Sequence, residues 1–262
     1  MTSTRSRGSE SRLPVEFMEA ESPGLRRFVL EYEFGLREVE TALTNLRDEF
    51  QHIHEYNPIE HVSSRVKSPE SLACKAARRG VPTELACIRE AITDIAGVRV
   101  TCCMVRDVYR LAGLLTERES ISVRKCKDYI TDPKPNGYRS LHLVLDVSVR
   151  LSSGPIVVPV EVQFRTIAMD FWASLEHRIY YKYDGYVPQQ ALQDLRDAAD
   201  TAAALDARME RLHLQLHGEE LDDTELQVCG PGTITATVPA SSFTAVRNLV
   251  APTRETALSQ LD

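Results

Sequence analysis

The stretch RSLHLVLDVSVRLSSGPIVVPVEVQFRT, residues 139–166, decides the fold. From Arg139 to Val149, apolar residues occupy alternate positions: Leu141, Leu143, Leu145, Val147 and Val149. A period of two is that of a strand with one buried face. Ser152-Ser153-Gly154-Pro155 turns the chain, and Ile156 to Arg165 reads as an antiparallel neighbour, making a hairpin. The second strand puts Glu161, Gln163 and Arg165 on one face, opposite an apolar one. A carboxylate, an amide and a guanidinium aligned in this way form a working surface. Glu161 between Val160 and Val162 in a central strand is costly unless it is paired or bound to metal.

On either side of the hairpin the pattern is mixed. Ser71 to Arg79 reads as a helix closed by Gly80, Ile95 to Cys103 as a strand, and Val105 to Glu117 as a helix with Val108, Leu111 and Leu115 inward. Ile121 to Lys125 is a short strand, and Met169 to Tyr183 returns to helix. Further out, Leu25, Val29, Tyr32, Leu36, Val39, Leu43, Leu46, Phe50 and Ile53 mark a long helix with a narrow apolar seam, ended before Asn57-Pro58. A second long helix runs from Gln189 to Leu216, with Leu192, Leu195, Ala199, Ala202, Leu205, Met209, Leu212 and Leu216 on one side and Gly218 as its stop. The fold class is therefore α+β: a mixed β-sheet flanked by helices, with long N- and C-terminal helices. Residues 1–23, rich in Ser, Arg and Glu, read as a disordered leader. Residues 24–218 form the domain, and 219–262 are an extension with a short β-like stretch from Thr233 to Val238.

Composition narrows the function. With 43% hydrophobic and 26% charged residues the chain is of the globular type, and no apolar run approaches the roughly 20 residues of a membrane helix. Of the six cysteines, Cys74, Cys87, Cys102, Cys103, Cys126 and Cys229, none forms a CxxC pair; buried thiols in a reducing cytoplasm are expected. The net charge of −7 argues against a general nucleic-acid coat, but it is unevenly spread. His61 to Gly80 carries +4 and Ser122 to His142 carries +3, leaving −14 elsewhere. Focused positive charge in an acidic protein fits a small polyanion such as a nucleotide. Two solvated basic patches are the plainer alternative.

Phosphoryl chemistry needs cations for the phosphates, acids for magnesium and a planar group for the base. Arg65, Lys67, Ser71 and Lys75 have the spacing R-x-K-x-x-x-S-x-x-x-K. A helix beginning near Ser68-Pro69 puts Ser71 and Lys75 on one face, with Arg65 and Lys67 in the loop leading in, where a phosphate would meet free N–H groups. Asp94 and Glu161 are the candidate magnesium ligands, and a pair suffices when phosphates and water complete the shell. Asp94 taken alone reads first as a helix-terminating or turn aspartate, and regular strand parity would set it on the face opposite Arg99. Asn136-Gly137 favours a tight turn that projects the ring of Tyr138 outward for stacking on a base, and flanking prolines keep Lys134 available for phosphate.

Together R-x-K-x-x-x-S-x-x-x-K, D-I-A-G-V-R-V, K-D-Y-I-x-x-P-K-P-N-G-Y-R-S-L-H, V-E-V-Q-F-R-T and F-W-A-x-x-E-H-x-x-Y-Y-K-Y, in order from about Tyr56 to Tyr183, resemble the synthetase domain of the RelA/SpoT-type (p)ppGpp synthetases. The flanking helices fit the stand-alone small alarmone synthetases. The resemblance implies a nucleotidyltransferase-like fold and transfer of pyrophosphate from ATP to the 3′-hydroxyl of GDP or GTP, releasing AMP, with Mg2+ as cofactor. It assigns ATP to Arg65, Lys67, Ser71, Lys75, Arg78 and Arg99, with Arg65 and Arg99 sandwiching adenine. Asp94 and Glu161 would be catalytic and hold the metal, Glu161 also helping to deprotonate the hydroxyl. Tyr138 would stack on guanine, with Lys134, Asn136, His142 and Gln163 around the acceptor; His142 is either a phosphate contact or a hydrogen-bonded rim residue. Glu176, His177 and Lys182 would buttress that site. No adjacent His-Asp pair of a hydrolase half is present, so synthesis without degradation is expected. A cytoplasmic homo-oligomer, a tetramer by the same resemblance, is implied. Asp170 stands where some relatives bind an activating nucleotide, and it would repel one. A tRNA 3′-end pyrophosphokinase and a catalytically silent nucleotide- or RNA-binding regulator are the alternatives.

Overall fold

The structure is a computed structural model that describes residues 22–54, 56–182 and 188–217. Helix α1 spans Pro23–Ile53. It begins inside the expected leader because Ser22 caps it, its Oγ accepting from the Leu25 N–H at 3.2 Å, and Pro23 supplies a first residue that needs no hydrogen bond. The predicted seam is buried from Leu25 to Phe50 apart from half-buried Val29, but Ile53 is 74% exposed, so the apolar contact stops one turn early. The rest of the leader, Gly218 and the extension lie outside the described residues.

Next come β1 (Ile59–Val66), α2 (Pro69–Arg79), α3 (Leu85–Ala91), β2 (Ala96–Cys102) and α4 (Val105–Thr116), then β3 (Ile121–Asp128), β4 (Leu141–Leu151) and β5 (Gly154–Thr166), and finally α5 (Ile167–Lys182) and α6 (Gln189–His217). The strands form one sheet in the order β1-β2-β5-β4-β3. Among the described residues only the β2–β5 pair is parallel, so the sheet is mixed as expected. The hairpin of β4 and β5 pairs from Leu141↔Phe164 to Leu151↔Gly154, and Gly154 turns it at φ 117°.

One face of the sheet is core. Val158, Val160, Val162 and Phe164 of β5 lie beside Leu141, Leu143, Leu145 and Val147 of β4, all fully or nearly fully buried under α1 and α4. At Gly35 of α1 a Cβ would stand 3.0 Å from the Cβ of Val158, so glycine lets the helix lie close on the central strand. Of the thiols expected to be buried, Cys102 is, whereas Cys74 is exposed and Cys87, Cys103 and Cys126 are half-buried.

Helix α3 has no counterpart in the sequence reading, β3 runs past Lys125 to Asp128, and two further elements depart from that reading. Strand β1 occupies what reads as a loop before α2. Its sequence, IEHVSSRV, buries only Ile59, so no alternation announces it; backbone pairing with β2 (Arg65↔Gly97, Val66↔Ala96) makes it an edge strand. Helix α6 has the predicted bounds but a different buried line. Leu195 and Ala199 pack with Trp172 and Ala173 of α5, and the Trp172 Nε1–H donates to the Leu195 carbonyl at 2.8 Å. Beyond Ala199 the inward positions are Asp206 and Glu210, while Leu205, Met209, Leu212 and Leu216 are exposed. The leucine pattern drifts off the true contact line by one position.

Asp206 and Glu210 are therefore carboxylates in a packed interface. Asp206 accepts from the Thr166 hydroxyl at 2.6 Å, and Thr166 Oγ1 in turn accepts from the Met169 N–H at 3.1 Å. Glu210 accepts from the Arg106 N–H at 3.3 Å. Burial pushes the Asp206 carboxyl up to about 6, against its bond from Thr166, and burial likewise raises Glu210. A folded-state value above the unfolded one means that ionised Asp206 disfavours folding, a cost complete above pH ~6 and gone below pH ~4. Wild-type stability should thus rise as pH falls through that window. Asp206→Asn keeps an acceptor for Thr166 and should be more stable by ~1–3 kcal/mol at pH 8, with the gain shrinking by pH 5. Thermal melts at the two pH values check this; an Asn variant melting below wild type at pH 8 contradicts it.

Candidate active site

The opposite face of the sheet is polar, and its register aligns the candidate residues in two rungs. One runs Arg65–Gly97–Glu161–Val144–Lys125 across β1, β2, β5, β4 and β3; the next runs Ser63–Arg99–Gln163–His142–Lys127. Arg65 and Arg99 thus sit on neighbouring rungs of the same face, as a guanidinium pair about a planar base requires. Glu161, Gln163 and Arg165 share the face that the alternation predicts.

Asp94 lies just before β2, so strand parity does not set its direction. Lys67 reaches it from the end of β1, its Nζ donating to Asp94 Oδ2 at 2.9 Å and to the Asp94 carbonyl at 2.6 Å; Lys75 of α2 pairs with the same Oδ2. Burial would raise the Asp94 carboxyl, but hydrogen bonds and charge from Lys75 and Lys67 outweigh it and hold the group below its ordinary value. Glu161 is held in the same way. Burial pushes it up, but His142, whose Nδ1 lies 3.4 Å from Oε1, and Gln163, whose Nε2 donates to Oε2 at 3.1 Å, bring it below its ordinary value despite the charge of Asp94. Both carboxylates line a cleft of about 300 Å3, together with Lys75, Arg79, Lys125, Lys127 and His142. Its cations come from the two basic segments of the sequence.

Among the described residues no three His, Cys, Asp or Glu side chains gather as a metal cage. Two anionic carboxylates on one cleft fit magnesium when nucleotide phosphates and water supply the remaining ligands. The ammonium groups on Asp94 stand where such a cation would compete for the same oxygen.

Pro69 opens α2 and Ser68 caps it, the Ser71 N–H donating to Ser68 Oγ at 3.3 Å. Ser71 and Arg78 are exposed and do not line the cleft; Arg79, unassigned by the sequence reading, does, while its Nη1 donates to the Ala91 carbonyl at 3.2 Å. Lys125 and Lys127 were missed because the sequence ends that strand at Lys125. A register shift between Val123 and Lys125 moves the pairing from Val123↔Leu145 to Lys125↔Val144. Residues of one parity thereby pass from the core face to the open face. Their place in the basic segment from Ser122 to His142 was the signal for them.

The loop before β4 is tighter than expected. Gly137 takes φ 91°, with its N–H on the Lys134 carbonyl at 2.8 Å. Asn136 is spent on the turn: Oδ1 accepts from the Tyr138 N–H at 3.2 Å and Nδ2 donates to Glu176 at 3.0 Å. Glu176 thus buttresses the loop, whereas His177 is exposed. Tyr138 does not project freely. Its ring is half-buried beside α5 and α6, and its hydroxyl lies 2.7 Å from both His142 Nε2 and Arg165 Nη2. Nor is Lys134 free: its Nζ sits 4.6 Å from the centroid of Tyr129 and 4.5 Å from that of Tyr138. Electrostatic attraction of an ammonium to two ring faces stores it there. Asp170 lies between Arg99 (3.3 Å) and Arg165 (3.1 Å), so two guanidiniums match its charge rather than leaving it to repel an anion.

Comparison with known proteins agrees with this geometry. The region found in RelA / SpoT proteins matches residues 64–186. GTP pyrophosphokinase YwaC of Bacillus subtilis is 46% identical over 181 residues, 69% of this chain and 86% of its own length. GTP pyrophosphokinase YjbM of the same organism is 36% identical over 71% of this chain and 87% of its length. Small alarmone synthetase 2 of B. subtilis superposes with a TM-score of 0.66 at 43% identity, over 73% of this chain and 98% of that one. Small alarmone synthetase 1, bound to its product pppGpp, gives 0.68 at 35% identity, over 75% and 100%. With identity at this level over most of the length of such relatives, the chain belongs to the RelA/SpoT family, on its small alarmone synthetase branch.

Proposed function

We propose that this protein is a GTP/GDP pyrophosphokinase. The 3′-oxygen of GDP or GTP attacks the β-phosphorus of ATP, the bond from that phosphorus to the bridging oxygen of the α-phosphate breaks, and AMP leaves. The observation that carries the reading is the cleft in which two anionic carboxylates, Asp94 and Glu161, are ringed by cations and His142. Transfer of a phosphoryl group asks a protein mainly for alignment and charge compensation. Arg65 and Arg99 hold the adenine; Lys67 and Lys75 exchange Asp94 for phosphate oxygens. Tyr138 stacks on guanine, and Lys134 leaves its rings for the acceptor's phosphates. Glu161, kept ionised, takes the proton of the 3′-hydroxyl. Asp94 and Glu161 would hold Mg2+, which supplies charge neutralisation on the transferred group when bound.

Incubating the protein with ATP, magnesium and GDP, GTP or tRNA in turn, and separating the products, tests this reading. A pyrophosphorylated guanine nucleotide is expected. Label on tRNA, or nucleotide binding without turnover, would favour the alternatives. The protein is further proposed to be a homo-oligomer. The exposed line of Leu205, Met209, Leu212 and Leu216 on α6 supports this, since apolar side chains in a row favour burial against a partner. Light scattering should give a multiple of the 29.4 kDa chain mass; a monomer at micromolar concentration contradicts it.

A further inference from the structure

Five side chains of the site, Glu161 among them, close a circuit of hydrogen bonds and one 3.4 Å contact between His142 and Glu161. Arg165 Nη2 donates to the Tyr138 hydroxyl at 2.7 Å and to Gln163 Oε1 at 3.1 Å. From Gln163, Nε2 donates to Glu161 Oε2 at 3.1 Å. From Tyr138, the hydroxyl meets His142 Nε2 at 2.7 Å, and His142 Nδ1 lies 3.4 Å from Glu161 Oε1. A guanidinium only donates, so the Tyr138 oxygen accepts from Arg165; with the imidazole protonated at Nδ1, the hydroxyl gives its own proton to His142 Nε2 and the ring's N–H faces the carboxylate. One arm thus holds each oxygen of Glu161, and both arms start from one guanidinium. Arg165 is 6% exposed and is anchored by Asp170 at 3.1 Å, so the starting point is fixed. Glu161's own rung offers no alternative support, because its pairing neighbours are Gly97 and Val144.

We propose that the Tyr138 hydroxyl is a positioning group for Glu161, acting through His142, so that the residue that stacks on the acceptor's base also sets the orientation of the carboxylate that acts on the acceptor's ribose. The inference rests on the function proposed above. It divides Tyr138 into two separable parts: a ring that binds and a hydroxyl that aligns. Simple stacking would make the hydroxyl dispensable.

Steady-state rates with GDP or GTP varied at saturating ATP test it. Tyr138→Phe keeps the ring and should lower kcat about tenfold while leaving the acceptor KM within about twofold. Tyr138→Ala removes both parts and should raise the acceptor KM about tenfold as well. His142→Gln should lower kcat like Tyr138→Phe, and the double variant should be no more than about twofold below the lower single, because both changes cut the same arm. Losses that multiply in the double variant, or a Tyr138→Phe enzyme with unchanged kcat, would overturn the proposal while leaving the pyrophosphokinase reading intact. A wild-type chain that forms no product from either nucleotide would overturn both.

Discussion

Asp94→Asn and Glu161→Gln should each reduce alarmone synthesis by about a thousandfold or more, about 4 kcal/mol of transition-state stabilisation, in proteins that remain folded. Each substitution is nearly isosteric and removes one negative charge from the cleft. In the Asn variant, Lys67 and Lys75 lose the carboxylate that both contact. Two ammonium groups then face each other across a neutral amide, and the place proposed for the cation loses half of its anionic lining. In the Gln variant, Glu161 can no longer take a proton, and an amide that must donate is set against the donors of His142 and Gln163. Neither residue belongs to the apolar core, so both variants should remain folded, but each loses a carboxylate that its partners hold below its ordinary value and should melt somewhat below wild type. Product assays beside thermal melts decide: near-wild-type turnover in either variant removes that residue from the metal and base assignments.

Gly137→Ala should be the most damaging single change in the acceptor loop, costing about 2–5 kcal/mol of stability and most of the activity. The first reason is backbone: φ of 91° is a conformation that side chains with a Cβ rarely adopt. The second is space. A Cβ there would lie 2.6 Å from the Cβ of Ala199 and 3.5 Å from the Cα of Arg196, so the loop or α6 must move. Tyr138 is the next residue, and its ring packs in the same small cluster as Trp172 and Leu195. Adding Ala199→Gly should restore part of the stability by removing the clash, but not the backbone strain. Melts of wild type, the single and the double variant check this. A Gly137→Ala protein as stable and active as wild type would show that the close contact between the loop and α6 is not maintained.

The hairpin was legible because one face of it is buried: Leu141, Leu143 and Leu145 against Val158, Val160 and Val162 impose a period of two that no other structure satisfies. The long helix α1 was legible for the same reason. Strand β1 was not, since its stabilisation lies in backbone pairing and its side chains are mostly exposed. Lys125 and Lys127 were hidden by a register shift that only the partner strand β4 specifies. On α6 the leucines made an apolar line of their own, and nothing local could tell that Asp206 and Glu210 face Thr166 and Arg106 instead. In the site, chemistry was easier to read than contacts. Asp94, Glu161 and Lys75 line one cleft, whereas Ser71 and Arg78 stay outside it. That Tyr138 is tied by its hydroxyl and Lys134 is held over two rings depends on neighbours from β4, β5 and the loop at Tyr129, which no spacing rule brings together.

The fate of each phosphate of ATP tests the central claim most directly. With ATP labelled at the α-phosphorus in one reaction and at the γ-phosphorus in another, and GDP or GTP as acceptor, the account predicts α-label only in AMP and γ-label only in the pyrophosphorylated guanosine nucleotide, in equal amounts. Label appearing instead as ADP, free phosphate or free pyrophosphate, with the acceptor unlabelled, would contradict it.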